Sequence, residues 1–498
     1  MKSDSTIHLV ACAAEYRGVE DIAVPPLGCL YVGGALRQAG YRVQLHHIVS
    51  TEAEATVARI LAADPAWVGF SLLTGTPVAT AARISRQLKV ENRSIPIVWG
   101  GVHPSLAANH CLQQSFVDFV VRGEGEQTAR DLAAALAAGA TDFSSVDGLS
   151  WKTAAGGIRD NRDRAFARDI DEFIQDWSLV DPRRYTRSAL DGSRYISFIT
   201  SRGCPHNCAF CYNLVFNKRR WRAHSSEYVI DTVKRIQAVT GVDRLVFNDD
   251  NFMVNEERAF EILENLQKIG VRATWLEVRL DRFTDELLER LKSLGVTNLF
   301  VGWESGVDTT LDRIAKGFNR ELILSAIRIA ARQGMELDAS AIVGFPFETE
   351  ADWRATVQTA LEMDRLHPGH IKFNIGVYVP YPGTPLAEEA LKAGFRFPER
   401  AEDWALFDIL KGSMRLPWVR PDQIQMLNRA DRYARMLYLG GGGGWLSRRV
   451  RGLFARIARW RLENFRFAIP VESYLYDWVV TLYVAAKARS VNRNTVGS

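Results

Sequence analysis

The sequence predicts an α/β protein in three parts: a doubly wound Rossmann-like domain, a closed or partly closed (β/α)6 barrel and a mainly helical C-terminal region. Three observations predict this. Short apolar strand-like runs alternate with helical stretches through about residue 138. A second alternation, of six strand-helix repeats, begins at Tyr195. Beyond 396 the apolar residues keep a helical period without strands between them.

In the first part, strands are predicted at 7–14, 42–46, 67–72, 95–99 and 116–121, and helices at 27–39, 51–62, 79–89 and 127–138. Such alternation builds a parallel sheet whose ligands sit outside the strands' carboxyl ends. The next fifty residues lack a sustained period and are rich in charge and small residues (TAAGGIRDNRDRAF), so they read as a linker. Barrel strands are predicted at 195–200, 244–248, 273–278, 298–302, 336–343 and 370–378, with helices at 226–238, 256–268, 284–293, 320–332 and 350–363. Functional residues in such a barrel gather at the strand C-termini. The predicted limits are 1–140, 141–190, 191–395 and 396–498, with a glycine run at 440–444 reading as a flexible joint.

Composition narrows the function classes. A chain of 498 residues with 47% hydrophobic and 24% charged residues has the balance of a globular protein. The formal net charge of +4 does not by itself indicate nucleic-acid binding, and no base-reading module is visible. Six cysteines are too few for a disulfide scaffold. No secretory signal opens the chain, and the apolar run 478–486 is far shorter than the roughly 20 residues of a spanning helix. A cytoplasmic protein, with any membrane contact peripheral, is expected.

The most specific feature is SRGCPHNCAFCYN, which sets Cys204, Cys208 and Cys211 in one loop after a predicted strand. A structural zinc site needs a fourth ligand, and no second cysteine pair supplies it. Three thiolates in one tight loop suit three irons of a cubane and leave the fourth open to a small molecule. Buried or zinc-bound cysteines are the alternative. With this loop, the chain resembles the radical S-adenosylmethionine (SAM) superfamily over about 195–386, which implies a partial (β/α)6 barrel there. The resemblance implies a [4Fe-4S] cluster on Cys204, Cys208 and Cys211, whose open iron chelates SAM and cleaves it to a 5′-deoxyadenosyl radical. It places Phe210 near the adenine, and makes Asp249 and Asp250 (in NDDNF), Arg279 (EVRLD), and Glu304 and Ser305 (WESG) SAM-contacting positions. GFPFET and YPGTPL are similar to further family segments. The family's Gly-Gly-Glu motif is not literally present. Taken singly, a carboxylate after a strand is commonly a helix cap.

Upstream, PPLGCLYVGGAL, FSLLTGT, WGGVHP and VVRGEGE resemble segments of cobalamin-binding domains fused to radical SAM enzymes. The resemblance implies cobalamin contacts at Ser71, Leu73, Thr74, Gly100, Gly101, Gly123 and Glu124. Glycines admit close backbone approach, and Ser71 and Thr74 offer hydroxyls to a nucleotide tail. A generic nucleotide-type fold with glycine turns is the other reading. The histidine loop that supplies a cobalt ligand in some of these domains is missing from CAAEYRGVEDIAVPPLG, so cobalamin without a protein imidazole on cobalt is expected. The other cysteines, Cys12, Cys29 and Cys111, are widely spaced in the first domain, which excludes an auxiliary cluster after the barrel.

Near the C-terminus, WLSRRVRGLFARIARWRLENFRF carries seven arginines against Glu463, with Leu446, Val450, Leu453, Ile457 and Trp460 on one helical face. That face either covers the barrel, the favoured reading, or lies on an anionic membrane through residues 445–467. By resemblance, the protein is a cobalamin-dependent radical SAM methyltransferase. It would transfer a methyl group from methylcobalamin to an unactivated carbon or phosphorus of a small molecule. A lipid-like or pigment precursor is the substrate if the membrane reading holds, and the electron donor is of the flavodoxin or ferredoxin kind. A radical cyclase or rearrangement enzyme with the same cofactors is the rival reading, and a corrinoid-binding sensor is the non-catalytic one.

Overall fold

The computed structural model describes residues 6–16, 19–20, 22–189, 191–407, 414–439, 445–467, 470–476 and 478. The glycine run 440–444 and most of 478–486 lie outside them. Runs of β-branched and aromatic residues form two seven-stranded sheets.

The first sheet contains β1 (Ile7–Cys12), β2 (Val43–Ile48), β3 (Trp67–Ser71), β4 (Ile97–Gly100), β5 (Phe119–Val121), β6 (Leu149–Lys152) and β7 (Ile158–Asp160), ordered β2-β1-β3-β4-β5-β6-β7. Strands β1 to β5 are parallel. All six residues of β1 are buried, as a strand covered on both faces requires. Val10 and Cys12 face one core with α2 (Ala53–Ala62) and α3 (Thr76–Glu91). Ile7, Leu9 and Ala11 face the other, with α1 (Leu27–Gln38) and α6 (Gly125–Ala137). Two short helices, α4 (Val102–Leu106) and α5 (Ala108–Gln113), follow β4. The expected linker contributes structure of its own. Strands β6 and β7 are antiparallel and turn at Thr153, whose N–H donates to the Gly157 carbonyl at 2.8 Å. At four and three residues they are too short for a period to register.

The second sheet runs in order from β8 (Arg187–Ser188) through β9 (Arg194–Phe198), β10 (Arg244–Phe247), β11 (Arg272–Glu277), β12 (Asn298–Glu304) and β13 (Glu336–Val343) to β14 (Ile371–Val377). The six strands β9 to β14 are parallel, and β8 is antiparallel to β9. The end strands β8 and β14 do not pair with each other, so the barrel is partial, as predicted. Helices α7 (Ser226–Thr240), α8 (Glu256–Lys268), α9 (Asp285–Ser293), α10 (Arg320–Gln333), α11 (Glu350–Leu366) and α12 (Pro385–Lys392) follow successive strands. Side-chain caps at Ser225, Asn255, Thr284, Asn319 and Thr384 satisfy first-turn N–H groups.

Helix α13 (Pro421–Arg435) covers the edge strand β14, where Asp431 accepts the Ile375 N–H at 2.9 Å. Helix α14 (Trp445–Asn464) packs on α11 and α13 through Phe454, Ala455, Ala458 and Leu462. The helix thus packs on the protein, as the favoured sequence reading expected, but through a different face. The alanines permit close helix approach, while Val450, Leu453 and Trp460, on the face expected to cover the barrel, are exposed. Among the described residues, no helix is long and apolar enough to cross a membrane.

Candidate active site

A cavity of about 670 Å³ lies where the carboxyl ends of the first sheet meet the barrel mouth. Its N-terminal wall is the edge of the parallel sheet: Cys12 to Glu15 after β1, Ser71 to Leu73 after β3, Gly100 to Val102 after β4 and Gly123 to Glu126 after β5. Its other wall comes from the barrel: Arg202, Gly203, Tyr212, Phe216, Asn217 and Asp250. Leu9, Trp67, Gly69 and Val98 of the sheet, with residues of α1 and α6, complete the lining.

Of the seven predicted cobalamin contacts, six line this cavity: Ser71, Leu73, Gly100, Gly101, Gly123 and Glu124. Thr74 does not line it; its hydroxyl lies 3.3 Å from Nδ1 of the buried His103. Glu124 lines the cavity but its carboxylate is held by Arg202 and Arg222, at 2.9 and 2.5 Å. Gly101, at φ +94°, passes so close to Leu72 that a Cβ there would lie 2.8 Å from the Leu72 nitrogen. Gly123, at φ +72°, has no atom within 4 Å of its missing Cβ and leaves that part of the wall open. Of the histidines near the sheet edge, His46 lies 2.9 Å from His8, and His47 lines the cavity with Nδ1 3.2 Å from the Tyr185 hydroxyl. The loop after β1 brings no histidine.

The cysteine loop follows the short strand Ser201–Arg202. Gly203, at φ +84°, lets the chain turn where a Cβ would lie 2.2 Å from the Arg220 carbonyl. The loop is tied at three points: Gly203 N–H to Asp250 at 3.0 Å, Ala209 N–H to the Ile314 carbonyl at 2.9 Å, and Leu386 N–H to the Ala209 carbonyl at 3.2 Å. The YPGTPL segment thus carries a loop anchor. Cys204, Cys208 and Cys211 are all partly exposed. Burial pushes the Cys211 thiol up to about 12 and raises Cys204 as well.

The predicted SAM positions divide by what they touch. Phe210 packs against Phe345 of GFPFET, ring centroids 6.2 Å apart. Asp250 accepts from Gly203 and from the Tyr212 hydroxyl at 2.9 Å, and faces the cavity. Asp249 points away: fully buried, it accepts from Thr200 N–H, Thr200 Oγ1 and Ser201 Oγ, and ties β9 to β10. Arg279 forks onto Asp281 and donates to the Lys316 carbonyl at 2.9 Å. Glu304, at φ +60°, ends β12 and pairs with Lys316 at 2.7 Å in a buried ion pair. Ser305 is buried, its hydroxyl accepting from the Val307 N–H.

Sequence reasoning missed Lys316, Arg202 and Glu277. Glu277 ends β11, where burial followed by the charges of Asp250 and Asp249 pushes its carboxyl up to about 8. Arg202 and Glu277 stand at predicted strand ends, which was their only sequence signal, whereas Lys316, in the connection before the helix predicted at 320–332, had none. The cavity thus sets a glycine-rich sheet edge against Gly203, Tyr212 and Asp250, which flank the cysteine loop, while Cys204, Cys208 and Cys211 do not themselves line it.

Comparisons with known proteins bear on the same two halves. The B12-binding-domain family matches residues 22–133 and the radical SAM superfamily matches 198–360. An uncharacterized methyltransferase of Pyrococcus horikoshii is 30% identical over 414 residues, covering 81% of this chain and 86% of that protein. The anaerobic magnesium-protoporphyrin IX monomethyl ester cyclase of Rubrivivax gelatinosus is 25% identical, covering 82% of this chain and 72% of the cyclase. In fold, the chain is similar to the radical SAM methyltransferase TsrM of Kitasatospora setae, solved with cobalamin and a [4Fe-4S] cluster. The TM-score is 0.64 at 18% identity, over 91% of this chain and 99% of TsrM.

Proposed function

The chain belongs to the radical SAM family that carries an N-terminal B12-binding domain, and on that premise we propose that it is a cobalamin-dependent methyltransferase. Its reaction moves a methyl group from methylcobalamin to an unactivated carbon or phosphorus of a small molecule. One observation carries this reading: a single cavity is walled by the glycine loops of the first sheet and by Gly203, Tyr212 and Asp250 beside the cysteine loop.

The residues fit the groups the reaction needs. Cys204, Cys208 and Cys211 would hold the [4Fe-4S] cluster, because three soft donors in one loop leave one iron open. The SAM molecule would be held by Phe210 at its adenine and by Arg279 at its carboxylate. Asp250 would act at the SAM amine, and the Glu304–Lys316 pair beneath would fix the strand end. Asp249 and Ser305 would contribute from behind, since their polar atoms are already engaged. Corrinoid contacts would come from Ser71, Leu73, Gly100, Gly101, Gly123 and the backbone at Glu124. When bound, SAM on the cluster supplies a hydrogen-abstracting radical and the corrinoid supplies the methyl group. The protein's own work is orientation and exclusion of water.

The exposed Val450, Leu453 and Trp460, flanked by the exposed Arg449 and Arg456, support a peripheral lipid contact and a hydrophobic substrate. A flavodoxin- or ferredoxin-like protein would deliver the electron. The test is anaerobic incubation with SAM deuterated in its methyl group and candidate substrates, followed by mass spectrometry. Product carrying the deuterated methyl supports the reading. Cyclised product without added methyl supports the cyclase alternative, and absence of SAM cleavage by the reduced, loaded protein supports the sensor.

A further inference from the structure

Arg202 stands two residues before Cys204, yet its side chain belongs to the other domain's surroundings. Its guanidinium meets Glu124 Oε1 at 2.9 Å and Glu126 Oε1 at 2.7 Å, and lies 4.3 Å from the centroid of the Tyr31 ring. Arg222, its partner on the antiparallel strand Arg222–Ala223, reaches the same Glu124 oxygen at 2.5 Å. Two carboxylates thus face two guanidiniums in a neutral quartet, with every side chain at most 15% exposed. Tyr31 continues the network: its hydroxyl is 2.6 Å from His224 Nε2, and His224 Nδ1 is 2.7 Å from Asp171.

Both carboxylates sit in the segment Gly123 to Glu126 that walls the cavity, and both cations sit on the two-stranded ribbon from which the cysteine loop springs. A buried ion network contributes little net stability, because desolvation offsets the attraction. What this one fixes is geometry. A planar guanidinium satisfies two acceptors and stacks on a ring at once, whereas an ammonium is a single point of charge. We propose that Arg202 is a positioning residue that sets the spacing between the cysteine loop and the corrin-binding wall, acting through Glu124 and Glu126. This rests on the proposed function, since the spacing has a catalytic meaning only when both cofactors are present.

The test is pulsed electron paramagnetic resonance on the full, anaerobically loaded chain, reading the dipolar interaction between cob(II)alamin and the reduced cluster. Arg202→Gln is expected to keep its cobalamin and iron content while the width of the distance distribution grows at least about two-fold, with Arg202→Lys in between. Glu126→Ala, which removes one acceptor and leaves the arginine, should broaden it less and serves as the deciding variant if Arg202→Gln fails to fold. Widths equal to wild type in the soluble Arg202 and Glu126 variants overturn the proposal. A wild-type chain that takes up neither cofactor overturns the proposed function instead.

Discussion

The amide of Gly203 donates to the carboxylate of Asp250 at 3.0 Å, joining the first turn of the cysteine loop to the end of β10. The same carboxylate accepts the Tyr212 hydroxyl from the far side of the loop. Asp250 is therefore a brace that spans the loop as well as a group facing the cavity.

Asp250→Ala leaves a buried N–H and a buried hydroxyl unpaired, which costs about 1–3 kcal/mol each where no water replaces the carboxylate. We expect lower iron content after reconstitution, measured by iron and sulfide analysis, and a lower unfolding midpoint. Asp250→Asn, which keeps an acceptor, should lose less of both.

Gly101 and Gly123 separate strain from occlusion. Gly101→Val meets backbone at 2.8 Å and should destabilise the first domain by more than about 2 kcal/mol, read by denaturant unfolding. Gly123→Val has open space and only a left-handed backbone to contend with, so its fold should persist. Its side chain enters the cavity, and cobalamin affinity, read by the visible spectrum on titration, should fall about ten-fold.

Glu348 caps the turn after β13, accepting from the Gly344 and Phe345 N–H groups at 2.7 and 3.1 Å. Burial pushes its carboxyl up to about 7, an effect the N–H donors only partly offset. A folded value above the unfolded one near 4.5 means the contribution is complete below about pH 4.5 and is lost as pH rises through 7. Stability should therefore fall between pH 5 and 8 by up to about 3 kcal/mol relative to Glu348→Gln, which does not titrate. Parallel thermal-unfolding profiles of the two proteins check this.

Lys316→Met leaves Glu304 buried without its cation and should cost about 3–5 kcal/mol. The double variant Glu304→Gln/Lys316→Met should be more stable than Lys316→Met alone. A double-mutant cycle by chemical denaturation measures the difference.

Flotation with vesicles rich in anionic lipid should recover the wild-type protein and recover much less of Leu453→Asp/Trp460→Asp, while neutral vesicles recover neither. Buried Phe454 and Ala458 are untouched by these changes, so the unfolding midpoint should not move.

The periodic parts of the molecule were legible in the sequence. Alternation placed every strand from β1 to β5 and from β9 to β14, and the cysteine spacing singled out the loop that the structure sets at the barrel mouth. Pairings between distant segments were not legible. Nothing in SRGC says that Arg202 meets Glu124 and Glu126 some 78 residues upstream, because a salt bridge leaves no period. The same holds for Lys316 beneath Glu304. The two aspartates of NDDNF are adjacent in sequence but point to opposite sides of the strand end, one braced inward and one toward the cavity. On α14 the apolar stripe was read correctly as a stripe, but its partner was not, since two alanines on the neighbouring face allow tighter packing than the larger side chains would.

The cavity's walls are drawn from Leu9 at one extreme and Asp250 at the other. A nascent chain emerging from the ribosome therefore has no finished pocket until half its length is out, and the first domain alone supplies only one of the two walls. A truncated first domain should then exchange a bound corrinoid with the medium faster than the full chain does.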